Sequence, residues 1–542
     1  MAACTGGTKK TTVLPTDVPA TLVPTDVPPT AVPATEAVEP TAETAPVETA
    51  TLTADLPRFE PAECFVQPPA DLGFEVNMDC GYVVVPEFYN GESTRELKIG
   101  ITRFNSGNGT SVTPLFKLAG GPGAENISSG SFALLQPELL GKVLEQRDIV
   151  FIEQRGTKFT DTFLTCPEND TSSWGAYEQG LTGEEADQYM LGTLEKCINE
   201  LKAQGINFDA YNSLENAADV NAVREALGYD KIIYYGASYG AQLGQHVMRD
   251  FPQILEAVVL DGANSLSRKS WVEDRALDAQ WGIDNMIELC EAEQKCRETY
   301  EISALLDAGL ALFDNGPLPY SYTDPNDPTL TFDGVVTIND FASFIYNLQT
   351  DKYGVFGVPL VLTQFTQGGA ELTAELLGTD KATKIIAARD AGESSWATLM
   401  HYAIVCSDDP VKSVDDVITE GAGRYAIAFA QSAASNYVAR CGLINVKELP
   451  DSTDVNVTTD VPTLLLTGSL DVQTPAFHSQ QVADSLPNAR LINFTGTSHV
   501  QLAGANFCAA NILTQFITDP KAELDTTCLD EMEVLPFSIP EN

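Results

Sequence analysis

Positive charge is scarce in this chain. Against 76 acidic residues stand 31 lysines and arginines, for a net charge of −45. A surface of that sign repels nucleic acid and anionic membrane, so neither is expected as a direct partner. Long apolar runs are missing too: no stretch of about 18 apolar residues occurs, which excludes a membrane-spanning helix. Histidine occurs only four times, and no C-x-x-C pair is present. Zinc therefore has no plausible ligand set, and neither a metal nor a cofactor is expected.

Aromatic residues are nearly absent from residues 5–57, a tract of Pro, Thr, Ala, Val and Glu in which Thr16-Asp-Val-Pro19 recurs as Thr25-Asp-Val-Pro28. Such a composition cannot bury a core and is expected to form an extended stalk, with a reach on the order of 150 Å at about 3.1 Å per residue. No complete signal peptide is present. The opening Met1-Ala-Ala-Cys4-Thr-Gly-Gly nevertheless reads as the end of a bacterial lipoprotein signal, with Cys4 as the lipid anchor. The expected location is extracellular or at the cell surface, with membrane contact only through that lipid.

What is present begins with cysteine. Setting Cys4 aside leaves ten of the 11, in neighbouring pairs: Cys64 with Cys80, Cys166 with Cys197, Cys290 with Cys296, Cys406 with Cys441, and Cys508 with Cys528. Five local disulfides are expected, which suits an oxidising compartment.

The chain is organised around Lys231-Ile-Ile-Tyr-Tyr-Gly-Ala-Ser-Tyr-Gly240. An apolar run stops at Gly236, Ser238 sits between two glycines, and a helical pattern follows. This is G-x-S-x-G in the context of strand, sharp turn and helix. So tight a turn requires small residues at Gly236 and Gly240, and it lifts the Ser238 hydroxyl clear of the sheet. Further buried strands are predicted at 114–118, 148–152, 257–261, 463–467 and 490–494. A hairpin is predicted around Asn90-Gly91, between 82–86 and 97–101. A helix is predicted from Ser213, as N-cap, to Gly228. Strands alternating with helices indicate a mostly parallel, doubly wound α/β sheet. The pattern breaks between 265 and 455, which reads as mainly helical with Pro/Asp-rich loops. The predicted organisation is therefore 1–57 anchor and stalk, 58–264 first part of the sheet domain, 265–455 helical insertion, and 456–542 second part of the sheet domain.

A serine hydroxyl needs a base, and the base needs an orienting carboxylate. Asp471 follows the strand at 463–467, and His499 follows the next one. His246 should point away from the strand ends, His401 lies in the insertion, and His478 is too near Asp471 to come from a separate strand. Ser238, His499 and Asp471 are thus the expected nucleophile, base and acid. The Tyr239 N–H is one expected oxyanion donor, and Gly120 or Gly121 of the Ala119-Gly-Gly-Pro-Gly123 loop the other.

Leu118-Ala-Gly-Gly-Pro-Gly123, Asp148-Ile-Val-Phe-Ile-Glu-Gln-Arg-Gly156, Gly236-Ala-Ser-Tyr-Gly240, Gly468-x-x-Asp471-x-x-Thr-Pro475 and His499 together resemble the proline iminopeptidase and tripeptidyl aminopeptidase family of α/β-hydrolases. The resemblance spans roughly residues 60–530. It implies the α/β-hydrolase fold with a helical cap, and release of residues from the free N-terminus of peptides. It favours Gly121 for the oxyanion site and gives Arg155 a structural role beside it. Ala119 and Glu153 replace the usual His and Asp of the proline iminopeptidase branch, which points to the exported tripeptidyl branch. Such an enzyme needs a carboxylate for the substrate amine, and Asp408, Asp409 and Glu125 are the candidates. A carboxylic-ester hydrolase with the same triad is the alternative, and a non-catalytic surface protein a third reading. Peptides are the expected partners, and a monomer the expected state.

Overall fold

The computed structural model describes residues 56–67, 76–109, 112–128, 137–504 and 506–540. Cys4 and the expected stalk, apart from its last two residues, lie outside them. Nine strands form one sheet among the described residues: β1 (Arg58–Pro61), β2 (Met78–Pro86), β3 (Glu96–Phe104), β4 (Leu115–Leu118), β5 (Ile149–Ile152), β6 (Ile232–Ala237), β7 (Leu255–Asp261), β10 (Thr463–Gly468) and β11 (Ala489–Phe494). A separate antiparallel pair, β8 (Leu318–Thr323) and β9 (Thr331–Val336), lies in the insertion.

The spatial order is β1-β2-β3-β5-β4-β6-β7-β10-β11. The edge from β1 to β5 is antiparallel, and every pairing beyond it is parallel. Parallel strands buried on both faces read as continuous apolar runs, and these do. Ile232 and Tyr234 pack into the core on one face; Ile233, Tyr235 and Ala237 pack on the other. The first face lies under the helices Ser213–Ala226 and Tyr239–Asp250, and its core continues into the insertion. The second is covered by Phe507–Thr518, through Ile512, Leu513 and Phe516.

Local signals land within a residue or two. The hairpin joins β2 to β3 with the Asn90-Gly91 turn between them, and Gly91 has φ +80. The helix predicted from Ser213 begins there, but its cap is Asn212, whose side chain accepts from Leu214 N and Glu215 N. The insertion carries the helices Arg275–Ala292, Ile338–Thr350, Val358–Arg389, Thr398–Asp408 and Arg424–Ile444. Of its Pro/Asp-rich stretch, read as loop, residues 318–323 instead form β8 of a hairpin in which Tyr322 pairs with Phe332, while 324–330 are the loop that joins it to β9. The pleat of β8 alternates half-buried and exposed residues, so its polar and proline positions face outward.

All five expected disulfides are formed, with Cys64–Cys80, Cys166–Cys197, Cys290–Cys296, Cys406–Cys441 and Cys508–Cys528 as the pairs. Arg155 is fully buried. Its Nε and NH2 donate to the two oxygens of Asp219 at 2.8 and 2.7 Å, and NH1 donates to the carbonyls of Glu87 and Ala210. It thereby ties the end of β2 to the Ser213–Ala226 helix.

Two outcomes follow. Thiol titration of denatured, unreduced, unlipidated protein should find one free cysteine, Cys4; several free thiols would contradict the pairing. Asp219→Ala should lower stability in a urea melt by up to about 3–5 kcal/mol, because it removes the two-bond partner of a buried guanidinium and leaves only Glu215, 3.6 Å from NH1, as its counter-charge; a loss under about 1 kcal/mol would show that Arg155 does not depend on Asp219.

Candidate active site

The turn after β6 has no room for side chains at its glycines. A Cβ on Gly236 would overlap the Gly240 carbonyl. Ser238 takes φ +56 and ψ −122, a conformation that costs an L-residue about 1–3 kcal/mol, and it leads directly into the helix Tyr239–Asp250. Its backbone N–H donates to the Asp261 carbonyl at 2.8 Å. No described residue hydrogen-bonds to its Oγ, as is common for nucleophiles before substrate arrives.

The sheet order brings the other two members alongside. β7 ends at Asp261, next to Ala237 in register; β10 pairs with β7, and β11 with β10. Asp471 therefore leaves the sheet one strand beyond Gly262, and His499 two. A Cβ on Gly262 would stand 3.2 Å from His499 Cε1, so the imidazole lies against the residue that follows Ser238's backbone partner. His499 Nδ1 donates to Asp471 Oδ2 at 2.8 Å, which leaves Nε2 as the acceptor. Asp471 is held in turn by the N–H groups of Gln473 and Thr474 on Oδ1, and by the Thr474 hydroxyl on Oδ2 at 2.6 Å. Burial pulls the His499 pKa down, but the adjacent carboxylate outweighs it, so the net shift is upward. Burial pushes Asp471 up, and the charge and hydrogen bonds of His499 and Thr474 bring it below its ordinary value. The pair is thus built to hold a positive charge on the imidazole.

The glycine loop lies over the serine. A Cβ on Gly120 would be 2.6 Å from Ser238 Cβ, so only hydrogen fits there. Gly121, with φ +114, comes next and packs beneath the Trp396 indole. The far side of the loop is anchored by Glu153, whose Oε1 accepts the N–H groups of Asn126 and Ile127 at 2.8 and 2.7 Å. Burial raises its pKa to about 7. Gly120 is thereby set against Ser238, and a Cβ on it would stand 3.1 Å from the hydroxyl.

Three supporting residues went unread in the sequence. Asp261 accepts from Gln501 N and Leu502 N at 2.7 and 3.1 Å and from the Tyr235 hydroxyl, so it holds the loop that carries His499. His401, dismissed as remote, donates from Nδ1 to the Pro122 carbonyl at 2.9 Å and accepts at Nε2 from Tyr437 at 2.8 Å. Burial lowers its pKa to about 4, so it stays neutral as a prop for the glycine loop. Thr474 bonds both Asp471 and His499 Nδ1, the latter at 3.0 Å; its place in the Asp-x-x-Thr-Pro motif was the available signal.

The amine-binding candidates fare differently. Asp408 is buried against the elbow helix, bonded to Ser213 Oγ at 2.7 Å and near Gln242. Asp408 and Asp409 line a cavity of about 10 Å³ with Gln242, His246, Arg268 and Asp454. That volume holds about one water, and no described contact joins either carboxylate to Ser238, His499 or the glycine loop. The two carboxylates pack against the elbow helix around Gln242 and His246, Ser213 Oγ links Asp408 to the Tyr239 hydroxyl, and burial raises them to about 7 and 8. Glu125 follows the glycine loop and is paired with Lys158 at 3.4 Å.

The family profile described as alpha/beta hydrolase fold matches residues 113–503. The chain is 24% identical over 455 residues to the serine protease Hip1 of Mycobacterium tuberculosis, covering 81% of this chain and 84% of that one. It is 24% identical over 222 residues to the tripeptidyl aminopeptidase of Streptomyces coelicolor, covering 39% and 41%. Among solved structures, the proline iminopeptidase of Mycobacterium smegmatis aligns at 13% identity and TM-score 0.37, over 81% of this chain and 98% of that one.

Because neutral His499 is the form that can take a proton, kcat/KM should fall as pH drops through its pKa, which lies above the ordinary 6.5. Asp471→Asn should cut kcat on the order of 10⁴-fold and shift that acid limb downward. A pH–rate profile that is flat between about pH 5 and 8 would contradict the assignment.

Proposed function

The chain belongs to the alpha/beta hydrolase fold family, and on that premise we propose that it is an exported serine peptidase. It cleaves short peptides from a free N-terminus through an acyl-enzyme. The observation that carries this reading is the Asp471–His499 hydrogen bond, set against Gly262 beside a strained Ser238 under a glycine loop. The likeness to a serine protease and a tripeptidyl aminopeptidase supports the peptide substrate.

The steps follow from the positions. Ser238 Oγ attacks the scissile carbonyl while His499 Nε2 takes its proton. Asp471 keeps the proton of Nδ1 in place and stabilises the imidazolium. The Tyr239 and Gly121 N–H groups receive the oxyanion; losing one such donor costs about 10²–10³ in rate. His499 then protonates the leaving amine, and water completes the cycle by the same route. Glu125 is the remaining acidic residue next to the glycine loop, and we assign it the substrate amine. Five disulfides support an oxidising compartment.

A second reading, a carboxylic-ester hydrolase, draws on the same Asp471–His499 pair, which serves an ester carbonyl as well as a peptide one. The two readings separate on three chromogenic substrates: a free-amine tripeptide anilide ending in proline or alanine, its N-acetylated twin, and a short acyl ester. The aminopeptidase should cleave the first and spare the second, and Ser238→Ala should abolish turnover while the protein still folds. Cleavage of the ester alone would replace the peptidase reading. Unchanged turnover in Ser238→Ala would remove the mechanism.

A further inference from the structure

The first cap helix, Arg275–Ala292, lies directly on the loop that carries Asp471. A Cβ on Gly282 would overlap Val472, and Tyr346 from the neighbouring helix donates to the Val472 carbonyl at 3.0 Å. Arg275 opens this helix. Its NH1 donates to the Gln473 carbonyl at 3.2 Å, two residues past Asp471. The same nitrogen stands 3.5 Å from Asp278 Oδ2. That carboxylate is shared, with Arg268 NH2 at 3.5 Å and His478 Nε2 at 3.1 Å. One buried anion therefore serves two arginines and a histidine, and it approaches Arg275 through a single nitrogen.

The rest of the guanidinium is uncommitted. No hydrogen bond among the described residues engages Arg275 Nε or NH2. Its side chain keeps 19% exposure, where that of Asp278 has none. Its charge is felt at Asp471, at His499 and at His401. Two of these belong to the acid and base loops, and the third props the glycine loop through Pro122. Arg275 thus stands between the segments that flank Ser238, with donors to spare. Nε and one N–H of NH2 lie parallel on one planar edge and match a carboxylate with two parallel bonds.

We propose that Arg275 is a specificity-determining residue that takes a carboxylate of the substrate, supplied by an acidic side chain near the scissile bond or by the C-terminus of a short peptide. This rests on the peptidase reading for the substrate class but not for the charge. A charged hydrogen-bonded pair of this kind favours the carboxylate over its neutral counterpart by about 10- to 100-fold.

Three matched pairs test it in the full chain: a free tetrapeptide against its C-terminal amide, a tripeptide anilide containing Glu against one containing Gln, and para-nitrophenyl hemisuccinate against para-nitrophenyl methyl succinate. Wild-type protein should favour the acid member of at least one pair by about 10- to 100-fold in kcat/KM, mostly through KM. The pair that responds identifies the source of the carboxylate. Arg275→Met should bring that ratio to about one, and Arg275→Lys should fall between, because an ammonium keeps the charge but loses the fork. Succinate, and not succinamide, should compete in wild-type protein, a readout that needs no variant to fold. Equal rates for both members of every pair, or a ratio that survives Arg275→Met, would overturn the assignment. Peptides left uncut while the ester pair discriminates would remove the peptidase reading and leave Arg275 as the anion site.

Discussion

One carboxylate, at the last residue of β7, holds the two halves of the site in register. The Asp261 carbonyl receives the N–H of Ser238, and its side chain receives the N–H groups of Gln501 and Leu502 just past His499. Both attached segments are strained: Ser238 has φ +56 and Val500 has φ +57, the latter an outlier for a β-branched residue. Strain of about 1–3 kcal/mol at each persists only where neighbours over-determine the backbone. Asp261 supplies that over-determination at both ends. Burial raises its pKa to about 6, against the N–H groups that favour its anion. The separation of nucleophile and base is therefore set by a residue that touches neither reacting group.

The glycine loop depends on a second set of buried polar groups. Glu153 gathers two backbone N–H groups on the side of β5, and His401 reaches the Pro122 carbonyl from the cap. Arg155 is two residues beyond Glu153 and fastens the same segment to Asp219. Fully satisfied networks of this kind rigidify their surroundings, whereas a half-satisfied one is costly in low dielectric. The loop is thus held from both sheet and cap.

The sheet, and the placing of Ser238, Asp471 and His499 at its strand ends, were legible because their signals are local. Strands buried on both faces read as short apolar runs, and the elbow needs glycines at fixed offsets from one serine. Asp471 and His499 could be chosen by their place after successive strands. The supporting residues carry no such signal. Arg275 meets Gln473, and Asp261 meets Gln501, across roughly two hundred residues or more of chain, so only the fold reveals the pairs. Asp408 reads in the sequence as a carboxylate fixed by a disulfide cysteine, and only the fold supplies its partner, the Ser213 hydroxyl of the helix before the elbow. The β8–β9 hairpin hid behind its prolines and aspartates, which an outward-facing strand edge tolerates.

The helix Thr398–Asp408 spans the whole of this arrangement. Its first turn bonds the glycine loop, through Ala397 N to the Gly123 carbonyl and His401 to Pro122; its last turn carries Cys406, tied to Cys441, and Asp408, bonded to Ser213. At about 1.5 Å per residue it is a rod some 16 Å long, pinned at both ends. A roof braced in this way cannot swing open like a hinged lid without dragging the oxyanion loop off the serine. Any motion of this helix is therefore shared by the glycine loop at one end and by the start of the Ser213–Ala226 helix at the other.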